Sequence, residues 1–301
     1  MIATKHPSYS LKVNKWIVGA RPKTLAAAVA PVVTATALAN HLNNSINWVN
    51  SLLALLVAVL LQIGVNYSND YSDGIKGTDK ERVGPIRLVA TGIASAKAVK
   101  SAALLTYFLS ALVGLILSLR TSPWLMLLGL LAIISAWFYT GGKNPYGYRG
   151  FGEVSVFLFF GLFATIGTYF VTCAKFSPWA LLLGVQMGLL SCAILAVNNL
   201  RDLPRDKDSG KRTLAVRLGD KKARTLLISL IALAFLIQLV FLKLTPLALL
   251  PIMMLPFAVR IFRQIQSGAF GKDLIPSLAA IARLQIFMSV WIVISLISSK
   301  A

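Results

Sequence analysis

Long apolar segments recur along this chain and set the strongest limit on its fold. A helix needs about 20 mainly apolar residues to cross the hydrocarbon core of a bilayer. Nine segments approach that length, at 24–41, 48–68, 98–119, 123–140, 151–173, 178–200, 222–244, 246–263 and 279–299. Only 13% of the residues are charged, against about a quarter in soluble domains. The sequence therefore predicts an all-α membrane protein with about nine transmembrane helices.

The positive charges indicate how these helices are oriented. The chain carries 30 Lys and Arg against 10 Asp and Glu, a formal charge of +20. Nucleic-acid binding is excluded for so basic a chain, because too little polar surface remains outside the lipid bilayer. If the N-terminal segment 1–20 is cytoplasmic, 26 of the 30 basic residues lie on the cytoplasmic side, as the positive-inside rule requires. We predict a single polytopic domain over 1–301 with its N-terminus in the cytoplasm.

The acidic residues are few and clustered. Seven of the ten lie within 70–81 and 202–208, each window directly after an even-numbered predicted span and so on one membrane face. Spacings of three and four place such side chains on one face of a helix that continues past the span. The two windows resemble each other, reading Asn66-x3-Asp70-x2-Asp73 and Asn198-x3-Asp202-x3-Asp206.

The residue types in these windows suit a metal and a phosphorylated ligand. A carboxylate at the bilayer centre costs about 2.5–3.5 kcal/mol, so the windows should lie at the interface or share a cavity. Mg²⁺ favours a few carboxylates completed by water and phosphate oxygens, and nearby cations bind phosphates. Simple pairing of each acidic cluster with its local bases is the alternative. The candidate cations for a diphosphate, within loops at about 69–96 and 201–221, are Lys76, Arg82, Arg87, Lys211 and Arg212.

Four stretches carry a resemblance to a known family. They are ARPKTLAAAVAPV at 20–32, NYSNDYSDGIKGTDKERVGPIRLVATG at 66–92, YTGGKNPYGYRGFGEVSVFLFFG at 139–161 and NNLRDLPRDKDSGKRTLAVRLG at 198–219. The chain resembles the UbiA superfamily of intramembrane aromatic prenyltransferases, and within it the 1,4-dihydroxy-2-naphthoate polyprenyltransferases of menaquinone synthesis. The resemblance implies a UbiA-type helix bundle in the cell (inner) membrane, with its active-site loops on the cytoplasmic face.

The same resemblance implies a reaction and a metal site. A polyprenyl group would pass from its diphosphate to 1,4-dihydroxy-2-naphthoate, with loss of CO₂ and diphosphate, giving demethylmenaquinol. The implied catalytic Mg²⁺ ligands are Asp70, Asp73, Asp202 and Asp206, with Asn66 and Asn198 completing or orienting the shell. Asp79 and Asp208 are weaker candidates, since Asp79 comes late in its window and Asp208 lies beyond Pro204, at the expected helix end.

The aromatic acceptor is less sharply located. Arg21 and Lys23 flank Pro22 at the first span and could bind its carboxylate, although flanking charges of this kind also arise from topology alone. The other acceptor candidates lie in one loop, where an interfacial aromatic belt is the alternative, and are Tyr139, Asn144, Tyr146 and Tyr148. Glu153 is a candidate base or a helix-start residue favoured by the helix dipole, and we favour the second interpretation.

Two further functions stay open on the sequence. One is a prenyl or phytyl transferase for another aromatic acceptor. The other is a secondary transporter for an anionic solute, which the repeated half-motif permits but the placement of the acids on one face disfavours. The sequence names no residue at the floor of a prenyl pocket, so the length of the prenyl chain is open.

Overall fold

The computed structural model describes residues 14–78 and 86–299, and every regular element in those two ranges is a helix. Helices satisfy their backbone hydrogen bonds internally, which the interior of a bilayer demands. The helices are α1 Lys15–Ala20, α2 Ala26–Leu42, α3 Trp48–Lys76, α4 Ala96–Arg120, α5 Leu125–Phe138, α6 Gly152–Cys173, α7 Pro178–Asp208, α8 Leu214–Lys243, α9 Pro246–Gln266 and α10 Gly271–Ser298. The all-α membrane fold predicted from the apolar segments is confirmed.

The number of full spans differs slightly from nine. Across the described part of the chain, seven helices are long and apolar enough to cross a membrane, namely α3, α4 and α6 to α10. The first predicted span is a bent pair, in which the segment Lys15–Thr24 meets α2 at 54°. The fourth predicted span, α5, has only 14 residues, too few to cross about 30 Å of hydrocarbon alone. All nine apolar segments are helical, but one is bent and one is short.

The two helices that carry the acidic windows extend beyond their predicted spans. α3 has 29 residues and α7 has 31, so both windows lie on uninterrupted helix. α7 continues through Pro204 to Asp208, whereas the sequence places its end near that proline. Proline removes one backbone hydrogen bond, and near a helix end the freed carbonyl can bond to water instead.

The main core surrounds α7. Its buried apolar side chains pack with those of α2, α8, α9 and α10. α6 approaches α7 closely, since a Cβ on Gly161 would lie 2.5 Å from the Gly188 Cα. The stretch Phe157–Phe163 of α6 is a π-helix, a local widening often found at functional sites.

Polar contacts join α3, α4 and α6 at the end remote from the acidic windows. The Asn50 side chain donates to the Val171 carbonyl at 2.8 Å and accepts from Arg120 Nε at 2.9 Å. The Ser51 and Thr172 hydroxyls lie 2.9 Å apart. The far ends of these three helices are therefore held at one level, which fixes their relative depth.

Candidate active site

A cavity of about 440 Å³ opens where α3 and α7 end, and we call that opening its mouth. The two acidic windows meet there, one on each wall. Carboxylates from separate helices face one space, as the shared-cavity prediction requires. The polar wall residues are Asn66, Asn69 and Asp73 on α3 and Asn198, Asn199, Asp202 and Asp206 on α7.

Asp73 joins three segments of the chain at the mouth. Its side chain is 6% exposed. Oδ1 lies 3.4 Å from Lys211 Nζ and accepts from the Tyr148 hydroxyl, while Oδ2 lies 3.5 Å from Arg87 Nη2. A buried carboxylate needs such compensation. Because both cations also line the cavity, they are placed to contact an anionic ligand at the mouth.

Asp70 faces a different environment. It is fully buried, and its two oxygens accept from the backbone N–H groups of Leu88 at 2.8 Å and Val89 at 3.1 Å. It is not part of the cavity wall. These bonds hold Leu88 and Val89 against α3 and so position the preceding residue, Arg87. The metal role of Asp70 stays a prediction, and its contacts favour a positioning role.

The α7 window is stabilised locally. Arg201 donates to both oxygens of Asp202, at 2.8 and 2.6 Å, the bidentate geometry that arginine favours. Asp206 is nearly buried in the wall. Arg205, one turn from Asp202, also lines the cavity, and its buried Nη1 has no hydrogen-bond partner among the described residues.

Asn199 is a wall residue that the sequence pattern did not single out. Its Nδ2 donates to Glu153 Oε1 at 2.9 Å, so its amide oxygen is the atom left to accept a ligand. Glu153 itself is buried in the first turn of α6, in agreement with its interpretation as a helix-start residue. Asn69 was also missed, although it lies four residues before Asp73 on the same helical face, and it accepts from the Thr140 hydroxyl at 2.8 Å.

Four of the six acceptor candidates reach the cavity: Arg21, Tyr139, Tyr146 and Tyr148. Burial raises the pKa of Tyr139 and of Tyr146, so both hydroxyls stay protonated at neutral pH. Lys23 and Asn144 are exposed and lie outside the wall.

Arg21 has an unusual backbone for an arginine. Its φ of 53° and ψ of 69° are left-handed, a conformation that costs a non-glycine residue about 1–3 kcal/mol and clusters at functional sites. Its Nε and Nη2 atoms are buried with no hydrogen-bond partner among the described residues. Both features suit a guanidinium that receives an anion.

The remaining predicted phosphate ligands lie outside the cavity wall or outside the described residues. Lys76 and Arg212 are exposed and outside the cavity wall. Lys76 donates to the Thr140 carbonyl at 2.6 Å, and the Arg212 N–H donates to the Tyr148 carbonyl at 2.7 Å, so both stabilise the loop that carries Tyr148. Arg82 and Asp79 lie outside the described residues, and Asp208 is exposed and absent from the wall.

Away from the mouth the cavity wall is apolar. Along α3 it extends from Asp73 to Ala54, nineteen residues, or about 28 Å at 1.5 Å per residue. That length approaches the hydrocarbon thickness of a bilayer. The aromatic side chains of Phe159 and Phe160 also face this space, whereas aromatic runs of this kind usually pack against lipid.

The donor set fits a metal that shares its shell with a ligand. In the described part of the chain, no three His, Cys, Asp or Glu side chains converge closely enough to hold a metal ion. Mg²⁺ is usually bound by one or two carboxylates together with waters and substrate phosphates. Asp73 on one wall and Asp202 and Asp206 on the other face the same cavity, so each wall could supply one or two carboxylates to an ion whose shell substrate phosphates and water complete.

Comparisons with known proteins agree with this arrangement. The model of the UbiA prenyltransferase family matches residues 28–272. The chain is 47% identical over 264 residues to the 1,4-dihydroxy-2-naphthoate octaprenyltransferase of Mycobacterium tuberculosis, covering 88% of this chain and 90% of that protein. It is 40% identical over 223 residues to the Escherichia coli protein of the same name, covering 71% of each.

A solved structure shares the fold. A UbiA homolog from Archaeoglobus fulgidus bound to GPP and Mg²⁺ superimposes with a TM-score of 0.70 at 16% identity, covering 95% of this chain and 100% of that one. At that identity the likeness concerns the helical architecture alone.

Proposed function

The chain belongs to the UbiA prenyltransferase family, and we propose that it transfers a polyprenyl group from polyprenyl diphosphate to 1,4-dihydroxy-2-naphthoate, releasing CO₂ and diphosphate to give demethylmenaquinol. One observation carries the proposal. Two acidic windows, with cations between them, share the mouth of an apolar cavity about 28 Å deep. Relatives at 40–47% identity are named for prenyl transfer to the same acceptor.

The mouth is suited to the departure of diphosphate. Breaking the allylic C–O bond builds negative charge on the leaving oxygens, and preorganised cations stabilise such charge. Arg87 and Lys211 are the donors to these oxygens, and the Arg205 guanidinium extends the positive wall. Asp73, Asp202 and Asp206 would hold Mg²⁺, which when bound neutralises charge on the phosphates. Asn66, Asn198 and Asn199 supply amide oxygens to complete or orient that shell.

The apolar wall protects the allylic cation left behind. Water would capture that cation, so the cavity next to the mouth must exclude it. Phe159 and Phe160 line this part, and aromatic faces attract a cation. The same wall receives the prenyl tail.

The acceptor binds beside the tyrosines. Arg21 is the partner for the naphthoate carboxylate, since its buried nitrogens suit an anion. Tyr139 stays protonated and donates a hydrogen bond to the acceptor, whereas the Tyr146 hydroxyl donates to the Ser135 carbonyl at 2.9 Å and contacts the acceptor only as part of the cavity wall. Neither tyrosine is a base. The ring carbon that bears the carboxylate attacks the allylic carbon, and that carboxylate then leaves as CO₂. The C–C bond electrons then return to the ring, and no base is needed.

The orientation in the membrane is part of the proposal. The active site lies on the cytoplasmic face of the cell (inner) membrane, a proposal supported by the basic residues of the predicted cytoplasmic loops, which lie at the same end as the mouth. Residues 1–301 then act as one polytopic catalytic domain. A secondary transporter is disfavoured because the acidic side chains converge at one mouth rather than at mid-membrane on broken helices.

The test is an assay of the purified protein in detergent with dihydroxynaphthoate, polyprenyl diphosphates of several lengths and Mg²⁺. Mass spectrometry should detect prenylated, decarboxylated product, and chelation of the metal should abolish it. 4-Hydroxybenzoate and homogentisate, offered separately, test the choice of acceptor. Absence of product with every acceptor and chain length would overturn the proposal.

A further inference from the structure

Three glycines lie in the apolar wall of the cavity, on three different helices. Gly114 is on α4, Gly129 on α5 and Gly167 on α6. A Cβ added at Gly129 or Gly167 would meet no atom within 4 Å, and one at Gly114 would meet only Val57, at 3.9 Å. Close helix packing therefore does not require these glycines. The space that a side chain would fill is cavity volume.

All three glycines lie at the deep end of the cavity. Gly114 is six residues before the end of α4, Gly129 four after the start of α5 and Gly167 six before the end of α6. Each of those helix ends is the one remote from the mouth. Gly114 neighbours Val57, sixteen residues from Asp73 along α3, which is about 24 Å at 1.5 Å per residue. Beyond the glycines the wall residues at the floor are Ala54, Leu117, Leu125 and Val171.

The polar contacts at the helix ends remote from the mouth indicate that the three glycines lie at a similar depth. Asn50 bonds the Val171 carbonyl, and Ser51 contacts Thr172, so this end of α6 is level with the start of α3. Gly167 lies one turn inside that contact. The three glycines thus surround one section of the cavity, just above its floor.

From this geometry we propose that Gly114, Gly129 and Gly167 form a deep chamber for the distal isoprene units of the prenyl diphosphate and set the longest chain that the protein uses. The proposal rests on the proposed function and adds its chain-length specificity. Glycine lowers helix stability relative to other residues. Because helix packing does not require these three glycines, another benefit must offset that cost. Because protein interiors are close-packed, a larger side chain at any of them removes room that a long tail needs.

The experiment compares a short and a long donor in single variants. Gly114→Leu, Gly129→Leu and Gly167→Leu are assayed with farnesyl and octaprenyl diphosphate at a fixed dihydroxynaphthoate concentration. Each variant should lower kcat/KM for octaprenyl diphosphate by at least about tenfold, as added bulk in an apolar pocket does, and leave the farnesyl value near wild type. The farnesyl activity reports that the variant is folded. Ala111→Leu, on the exposed face of α4, is the matched control and should change neither value.

A second series tests depth. Ala132 lines the cavity one turn nearer the mouth on α5, so Ala132→Leu should exclude shorter chains than Gly129→Leu does. If a leucine variant is not recovered from the membrane, the corresponding Gly→Ala variant should change the same donor ratio in the same direction, more weakly.

Two results would overturn the inference. Equal losses with both donors would show that the glycines serve the fold or the chemistry, and unchanged octaprenyl turnover would show that the tail leaves the cavity by another route. A wild-type protein inactive with every prenyl diphosphate would instead overturn the proposed function, so the two failures are distinguishable.

Discussion

The two helices that carry the acidic windows share a motif but have different surroundings. In α7, 72% of the most apolar 18-residue stretch is buried inside the protein, against 28% of the corresponding stretch in α3. α7 is the centre of the core, whereas α3 packs chiefly beside α4 and leaves large apolar side chains such as Leu52 and Leu56 exposed. One wall of the active site is therefore a core helix, and the other is a peripheral helix.

The windows also differ in where their partners come from. Asp202 on α7 is bound by its neighbour Arg201. Asp70 and Asp73 on α3 are bound by groups far along the chain, Leu88, Arg87 and Lys211 among them. The difference teaches that matching motifs need not have matching roles. Among the described residues, Asp202 is bound by Arg201 of its own helix, while Asp73 of the α3 window contacts Arg87 and Lys211 on separate segments.

Substitution of Asp73 should have the largest effect. Asp73→Asn removes the carboxylate shared by Arg87 and Lys211 and one of the proposed metal ligands. We expect kcat/KM to fall about 10²–10³-fold, the usual loss when one preorganised electrostatic group is removed. Asp208→Asn, an exposed change on the same membrane face, is the control and should stay near wild type. A rate within a few-fold of wild type for Asp73→Asn would argue that the windows are ordinary loop charges.

A pair of variants tests the difference between the two acidic windows most directly. Asp70→Asn replaces an acceptor of two backbone N–H groups and should destabilise the fold by about 1–3 kcal/mol, seen as a lower Tm in detergent. Asp202→Asn leaves the buried Arg201 guanidinium without its counter-charge, so it should lower both Tm and kcat. If Asp70→Asn instead keeps its Tm and loses only activity, Asp70 acts on metal or substrate, and the two windows are equivalent.

Glu153 tests how far the α7 wall depends on a neighbouring helix. Glu153→Ala frees the Asn199 amide and should lower kcat/KM about tenfold, within the range for loss of a group that orients a ligand. Glu153→Gln keeps an oxygen that can accept from Asn199 and should recover most of the activity. Failure of glutamine to rescue would show that the charge of Glu153, rather than its hydrogen bond, matters.

The smallest effect is expected at the tyrosines. Burial raises the pKa of Tyr139 above the ordinary value of 10.0, so its hydroxyl remains a donor through neutral and moderately alkaline pH. Tyr139→Phe should raise KM for the naphthoate by less than about tenfold, the loss of one neutral hydrogen bond, without changing the pH profile between 6 and about 9. If the wild-type rate changes with alkaline pH in that range and Tyr139→Phe removes the change, then Tyr139 titrates during turnover.

From the sequence, only those site residues that share a helical spacing could be predicted. The spacing within each window places Asp73, Asp202 and Asp206 at the cavity, and Asn69 could have been found from its position four residues before Asp73. Asn199 could have been found in the same way, because it lies three residues before Asp202 and seven before Asp206 on one helical face. Among the cations, charge and proximity in sequence did not separate Arg87 and Lys211 from the exposed Lys76 and Arg212.

Taken alone, the sequence determines the membrane fold, the family and the two acidic windows. Apolar length and helical spacing are local properties that packing does not alter. Only the tertiary structure decides that the Asp70 carboxylate accepts from the Leu88 and Val89 N–H groups, that Asp73 contacts Arg87 and Lys211 and that three glycines on separate helices line one cavity. Those relations join residues from 14 to 138 positions apart, and no short-range pattern encodes which helix faces meet.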